Sequence, residues 1–275
     1  LYKKIKTKIT SKQRAIDFSN NLEEGARIYV ALIDTTNGFW SGYSQASKNH
    51  MATLNLFKMV QMRPLLLSII SKFNNREVEK ALKYLVSISA RFLIYGGLGG
   101  GALEVQFSER AKEISDGDIK TTDELKVKFG RAVPSDAQFK EAFKNATVSK
   151  QYLARYYLMA LEKAKRGEEN PEFIPNADTS AVNLEHILPK TPDSSWSIDP
   201  DTHRAFVKRL GNLAIMSSKL NSDIGNSSFI SKKDIYKSSD FLLTSELQSF
   251  ETWDTESINK RQEGLAELAI QTWSI

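Results

Sequence analysis

The sequence predicts a mainly α protein. A long helical part comes first, and a small strand–loop–strand–helix part closed by a C-terminal helix follows. Three observations carry this. Apolar residues recur at spacings of three and four through most of the chain, the mark of one buried helix face. Only two short stretches, residues 182–188 and 212–216, read as strands. Between the two parts, Arg166-Gly167-Glu168-Glu169-Asn170-Pro171 through Pro175-Asn176 is a polar, proline-bearing connector. It sets the expected division into an α-helical domain, 1–176, and a second domain, 177–275.

Taken in order, Val78, Leu82, Leu85, Ile88 and Phe92 form one helical stripe. Helix-spaced aromatics of this kind are core far more often than stacking surfaces. The glycine run from Gly96 to Gly101 lacks the Gly-Lys-Ser/Thr ending of a phosphate loop and follows a helix, so it joins two helices. Thr122-Asp123-Glu124-Leu125 and Ser135-Asp136-Ala137-Gln138 read as helix starts, a capping residue followed by polar ones. Tyr152, Tyr156, Met159 and Lys163 make a further stripe, with Leu153, Tyr157 and Leu161 beside it. After the connector come the first strand, a loop over 191–202, the second strand, one or two short helices within 218–236 and a last helix over 255–273.

At 275 residues the chain holds one large domain or two smaller ones. A 41% hydrophobic and 26% charged composition is that of an ordinary globular protein. The net charge of +5 is compatible with nucleic acid without requiring it. The lysines Lys3, Lys4, Lys6 and Lys8 read as a solvated terminus rather than a clamp on DNA. There is no cysteine, so disulfides, zinc ribbons and thiol catalysis are excluded, which suits a reducing cytoplasm. No apolar run approaches the roughly 18–20 residues of a membrane span. The chain opens on Leu1 in a lysine-rich segment, and we expect it to be a fragment of a longer protein.

Polar chemistry concentrates near the C-terminal third. Glu185-His186-Ile187-Leu188-Pro189 is followed by Arg209-Leu210-Gly211-Asn212-Leu213, then by Asn221, Asn226, Phe229 and Lys232. A histidine at a strand end suits a general base, because its ordinary pKa of about 6.5 lies near neutral pH. Glu185 and Asn221 offer hard oxygen donors for Mg²⁺ or Mn²⁺. Each residue also has a plainer reading. His186 can be a core histidine, Asn212 a turn residue, Asn221 a helix cap with Asp223 as the ligand instead, and Lys219 and Lys232 solvated. His50 and His203 lack acidic neighbours at ligand spacing and read as structural or surface groups.

Together these blocks resemble the HNH, or ββα-metal, nucleases. More closely, they are similar to the nuclease domain that ends GmrSD-type, modification-dependent (type IV) restriction and phage-defence proteins. That family carries Glu-His-Ile-x-Pro, Leu-Gly-Asn-Leu and Asn-x-x-Phe-x-x-Lys. Here these are 185–189, 210–213 and 226–232, and Trp253, Ile258, Arg261 and Trp273 match its closing helix. The resemblance covers roughly residue 182 to the C-terminus. It implies a metal-dependent DNA endonuclease in a bacterial cytoplasm, with His186 as base and Glu185 and Asn221 on the metal. It further implies Asn212 as the brace of the histidine's loop, Gly211 and Asn226 as motif positions, and Lys219 and Lys232 on DNA phosphates. A nucleotide-using N-terminal domain of the full protein is implied as a partner. The competing readings are an inactive binding or regulatory module and an RNA nuclease.

Overall fold

The computed structural model describes residues 5, 7, 9–96, 100–169, 182–217 and 226–275. The protein is mainly α, as the sequence predicts, with a single two-stranded sheet among the described residues. By compactness it divides into two units. One comprises residues 1–84 and 99–130, the other 85–98 and 131–275.

In the first unit, α1 (Lys12–Ile33), α2 (Gln45–Phe57), α3 (Arg63–Lys72), the first half of α4 (Asn75–Tyr95), α5 (Gly100–Asp116) and α6 (Thr122–Phe129) build a helical core. Helix α3 packs against α1 and α5. Trp40 is fully buried, and its indole N–H donates to Ala31 O at 2.9 Å. The stripe expected in α4 holds: Val78 and Leu82 are sealed from solvent, as are Leu85 and Ile88 on its second half. Gly96, just past α4, has φ of +62°, in line with the expected glycine connector to α5.

The start of α6 is shifted by one residue. Thr121, not Thr122, is the cap, with Glu124 completing a capping box. Thr122 is occupied elsewhere. Its N–H donates to Glu77 Oε2 at 2.8 Å and its hydroxyl to Glu77 O at 3.1 Å. Lys80 Nζ adds an ion pair to Glu77 Oε1 at 2.9 Å. The bonds from Lys80 and the Thr122 N–H hold the Glu77 carboxyl down at about 2, from an ordinary 4.5. A depressed folded-state pKa contributes stability that is present above 4.5 and is lost as the pH falls towards 2. Urea unfolding should therefore show stability falling through that window. Glu77→Gln should remove up to about 3 kcal/mol at neutral pH and flatten that part of the profile. A Glu77→Gln protein with the wild-type acid profile would show the carboxylate to be uncoupled from folding.

In the second unit, α7 (Asp136–Lys144) starts on the Ser135–Gln138 capping box that the sequence predicts. Helix α8 (Gln151–Lys165) buries Tyr156, Tyr157 and Leu161, while Met159 and Lys163 sit at the margin, so its core face lies on the Leu153–Tyr157–Leu161 side. Helix α12 (Thr255–Thr272) packs along α7 and α8. At its end Trp273 is fully buried among Phe139, Phe143, Tyr156 and Tyr157. The buried Arg91 fixes this end, donating to Trp273 O at 2.8 Å and Pro134 O at 3.0 Å and pairing with Asp136 at 2.5 Å.

The sheet pairs β1 (Val182–His186) antiparallel with β2 (Leu213–Ser217), placing Glu185 opposite Ala214 and His186 opposite Leu213. Both strands are slightly displaced from the sequence reading. β1 stops at His186 because the chain turns, sending the Ile187 N–H to Asn212 O at 3.0 Å. Asn212 falls in a short 3-10 turn, Leu210–Asn212, ahead of β2. The loop expected over 191–202 gives way to helix α9 (Pro200–Phe206), capped by Asp199 with proline in its first turn. Helices α10 (Phe229–Lys237) and α11 (Leu242–Ser245) follow β2.

Compactness places the division earlier than the expected boundary at residue 176. Helices α7 and α8, assigned by sequence to the helical half, pack in the unit that holds the strands. Residues 170–176 of the expected connector lie outside the described residues.

Candidate active site

Glu185 and His186 are the last two residues of β1. Glu185 is buried, with 8% of its surface exposed, and His186 is half-buried. Beyond them the chain turns through Ile187 and Leu188, both buried, to Pro189.

Asn212 holds this turn. Its side chain is fully buried, and all of its hydrogen-bonding capacity is directed at specific neighbours. Oδ1 accepts the Leu188 N–H at 2.8 Å and the Trp253 indole N–H at 2.9 Å. Nδ2 donates to Leu188 O at 3.0 Å and Val207 O at 3.1 Å. The amide thus brackets both backbone groups of the residue two beyond the histidine, doing from across the sheet what a third strand would do.

The turn that presents Asn212 is itself pinned by α12. Arg261 donates to Gly211 O and Leu213 O, each at 2.7 Å. Gln262 Oε1 accepts from the Gly211 N–H at 3.0 Å and Arg209 Nε at 2.9 Å, and its Nε2 donates to Phe143 O and Ala146 O. This close approach explains the glycine. A β-carbon at 211 would lie 2.5 Å from Ile258 O and 2.8 Å from Gln262 Cβ, nearer than backbone and side chain can yield. The sequence reading matched Trp253 and Arg261 to the family's closing helix, although Trp253 lies just before α12, and it gave no role to Gln262.

Lys232 is placed differently from the expectation of a phosphate contact. It is fully buried, and its ammonium donates to Glu185 Oε1 at 2.8 Å, Ile187 O at 3.3 Å and His186 O at 3.5 Å. The cause lies in helical spacing. Phe229, Lys232 and Tyr236 fall on one face of α10, all three are buried, and a lysine on such a face enters only with a partner. Tyr236, which sequence reasoning missed, donates its hydroxyl to the same Glu185 oxygen at 3.3 Å.

These surroundings set the charge states. Burial pushes the Glu185 carboxyl up, while the Lys232 ammonium, the Tyr236 hydroxyl and the His186 backbone N–H oppose it. His186 is pushed down to about 4, first by burial and then by the positive charges of Lys190 and Lys232. At neutral pH its imidazole is uncharged and able to take up a proton.

The remaining expected residues separate. Asn226 donates to Thr191 Oγ1 at 3.1 Å, and its carbonyl accepts from the Trp196 indole at 3.3 Å, tying the loop after Pro189. His203 Nε2 bonds Pro189 O at 2.8 Å, and His50 is buried in the first unit. Lys219, Asn221 and Asp223 lie outside the described residues. Among the described residues no set of three His, Asp or Glu side chains gathers as a ligand cage. Of the two expected ligands, Glu185 is the one described; it offers carboxylate oxygen, and the Lys232 ammonium already pairs with it.

Against known families, residues 133–268 match the model of the C-terminal domain of GmrSD restriction endonucleases. The match runs from just before α7 into α12 and falls within the second compact unit. A comparison with curated proteins gave no match. Over that stretch the chain is similar to a domain of restriction endonucleases, and this supports a nuclease-type reading of the unit that carries Glu185 and His186.

Proposed function

We propose that this protein is a divalent-metal-dependent endonuclease of the HNH type that hydrolyses DNA phosphodiesters as the effector of a restriction or phage-defence system. The observation that carries the reading is the Glu185–His186 pair at the end of β1, with the following turn locked by Asn212 from the 3-10 turn ahead of β2. Glu185, with Asn221, would hold Mg²⁺ or Mn²⁺. The bound cation supplies charge neutralisation at the scissile phosphate and the leaving oxygen. His186, neutral at working pH, takes the proton from the attacking water. Asn212 holds the histidine's turn in place, and Arg261 and Gln262 hold the turn that carries Asn212. The oxygen-only donor set supports a hard cation, and the match to restriction endonucleases supports DNA as substrate.

The expected result is nicking or linearisation of supercoiled plasmid by the purified chain with Mg²⁺ or Mn²⁺, and none with EDTA. Glu185→Gln should lose both cleavage and calorimetric Mn²⁺ binding. A chain inert towards plasmid and single-stranded DNA in both metals would overturn the reading and favour a binding module. Cleavage confined to RNA would move the substrate to the other nucleic acid.

A further inference from the structure

A phosphate contact is closed to Lys232, whose ammonium is buried against Glu185. Lys190 lies just past the turn that follows His186. It is exposed, and it forms no ion pair among the described residues. We infer that Lys190 binds a phosphate of the DNA backbone and seats that backbone beside His186. The inference rests on the reading of this unit as a DNA endonuclease with His186 as base.

A lysine on a loose loop spreads its charge over many positions, and ordering that loop on binding costs free energy. Lys190 instead stands on backbone that is fixed on both sides. Before it, the N–H and carbonyl of Leu188 are held by the Asn212 amide at 2.8 and 3.0 Å. Pro189 is buried, its φ is set by its ring, and its carbonyl accepts from His203 Nε2 at 2.8 Å. After it, Thr191 Oγ1 accepts from Asn226 Nδ2 at 3.1 Å, and Asn226 O accepts from the Trp196 indole at 3.3 Å. Side chains from three separate stretches of chain thus hold residues 188, 189 and 191, while the Lys190 side chain stays in solvent. Its charge also sits in the right place. The ammonium groups of Lys190 and Lys232 both act on the His186 ring, and Lys232 is sealed from solvent. Of the two, Lys190 is the one that an incoming phosphate meets. An ammonium is a compact point charge of the kind that holds a phosphate oxygen.

The test is fluorescence anisotropy of the full chain on duplex DNA over a series of salt concentrations, in EDTA so that binding is read apart from cleavage. The proteins are wild type, Lys190→Met, Lys190→Arg and Lys72→Met. Lys72 is an exposed lysine ending α3 in the first unit, so its variant makes the same change in net charge. Each phosphate neutralised contributes about 0.9 to the slope of log affinity against log salt. Lys190→Met should flatten that slope by about one unit and weaken binding by about tenfold, the scale of one hydrogen bond to a charged group. Lys190→Arg should keep both, and Lys72→Met should match wild type. With Mg²⁺ and saturating DNA, Lys190→Met should still cleave more slowly, because the backbone is no longer seated at the histidine. A wild-type slope in Lys190→Met, or an equal loss in Lys72→Met, would overturn the contact; metal-dependent cleavage by wild type would then leave the nuclease reading standing. A flattened slope with the wild-type rate at saturation would overturn the seating beside His186. A wild type that binds no DNA would overturn the nuclease reading and the inference with it.

Discussion

Replacing His186 with alanine is expected to lower the DNA cleavage rate by about 100- to 10,000-fold, the usual cost of removing a general base, while leaving the fold in place. The two halves of that expectation have separate grounds. Burial and two nearby ammonium groups push the imidazole pKa down to about 4, so the ring is present as the free base at neutral pH. The side chain is only half-buried, and it is the backbone carbonyl of His186 that takes part in the Lys232 contacts. The turn after it is held by Asn212 through Leu188, not through the ring. Thermal unfolding should thus stay close to wild type, and so should Mn²⁺ binding, because the metal reading assigns the cation to Glu185. His186→Ala cleaving at the wild-type rate would remove histidine from the chemistry. A variant that loses cleavage together with its melting transition would make the residue structural.

The sequence carried the scaffold of the site but not its second layer. Strands of five residues and a Gly-Asn turn were legible because alternation, an Asn after a Gly and a proline stop each have a local cause. The α4 stripe and the Ser135 cap were legible for the same reason, whereas Thr121 lost to Thr122 because the deciding bond, to Glu77, reaches across 45 positions. Lys232 shows the limit most clearly. Read in isolation, a lysine after a serine and before another lysine belongs to a solvated face. Its burial follows from Glu185, 47 positions earlier, and periodicity cannot announce that partner. The same holds for Gln262, whose four bonds reach Arg209, Gly211, Phe143 and Ala146. The polar connector says nothing of the helices before it: α7 accepts from Arg209 and Gln262 through Lys144 O and Phe143 O, and both α7 and α8 line the core with α12.

Asn212→Ala should be the most destabilising substitution at the site. Four buried groups lose their partner at once: the N–H and carbonyl of Leu188, the carbonyl of Val207 and the indole N–H of Trp253. Each buried polar group left unmet costs about 1–3 kcal/mol, so a loss above about 4 kcal/mol is expected, with partial relaxation keeping the sum below the maximum. Asn212→Asp is the sharper probe, because it preserves shape and the two accepted bonds. It replaces an NH₂ that donates to two carbonyls with an oxygen that repels them, and adds a charge at a position with no exposure. Both variants should unfold at markedly lower urea concentration than wild type, and Asn212→Asp should regain stability as the pH falls and the carboxyl protonates. Activity measured under conditions where each remains folded should also drop, since the turn following His186 would no longer be fixed. An Asn212→Ala protein within about 1 kcal/mol of wild type would show that the bonds from Arg261 and Gln262 to the 209–213 turn hold the histidine's loop without the asparagine.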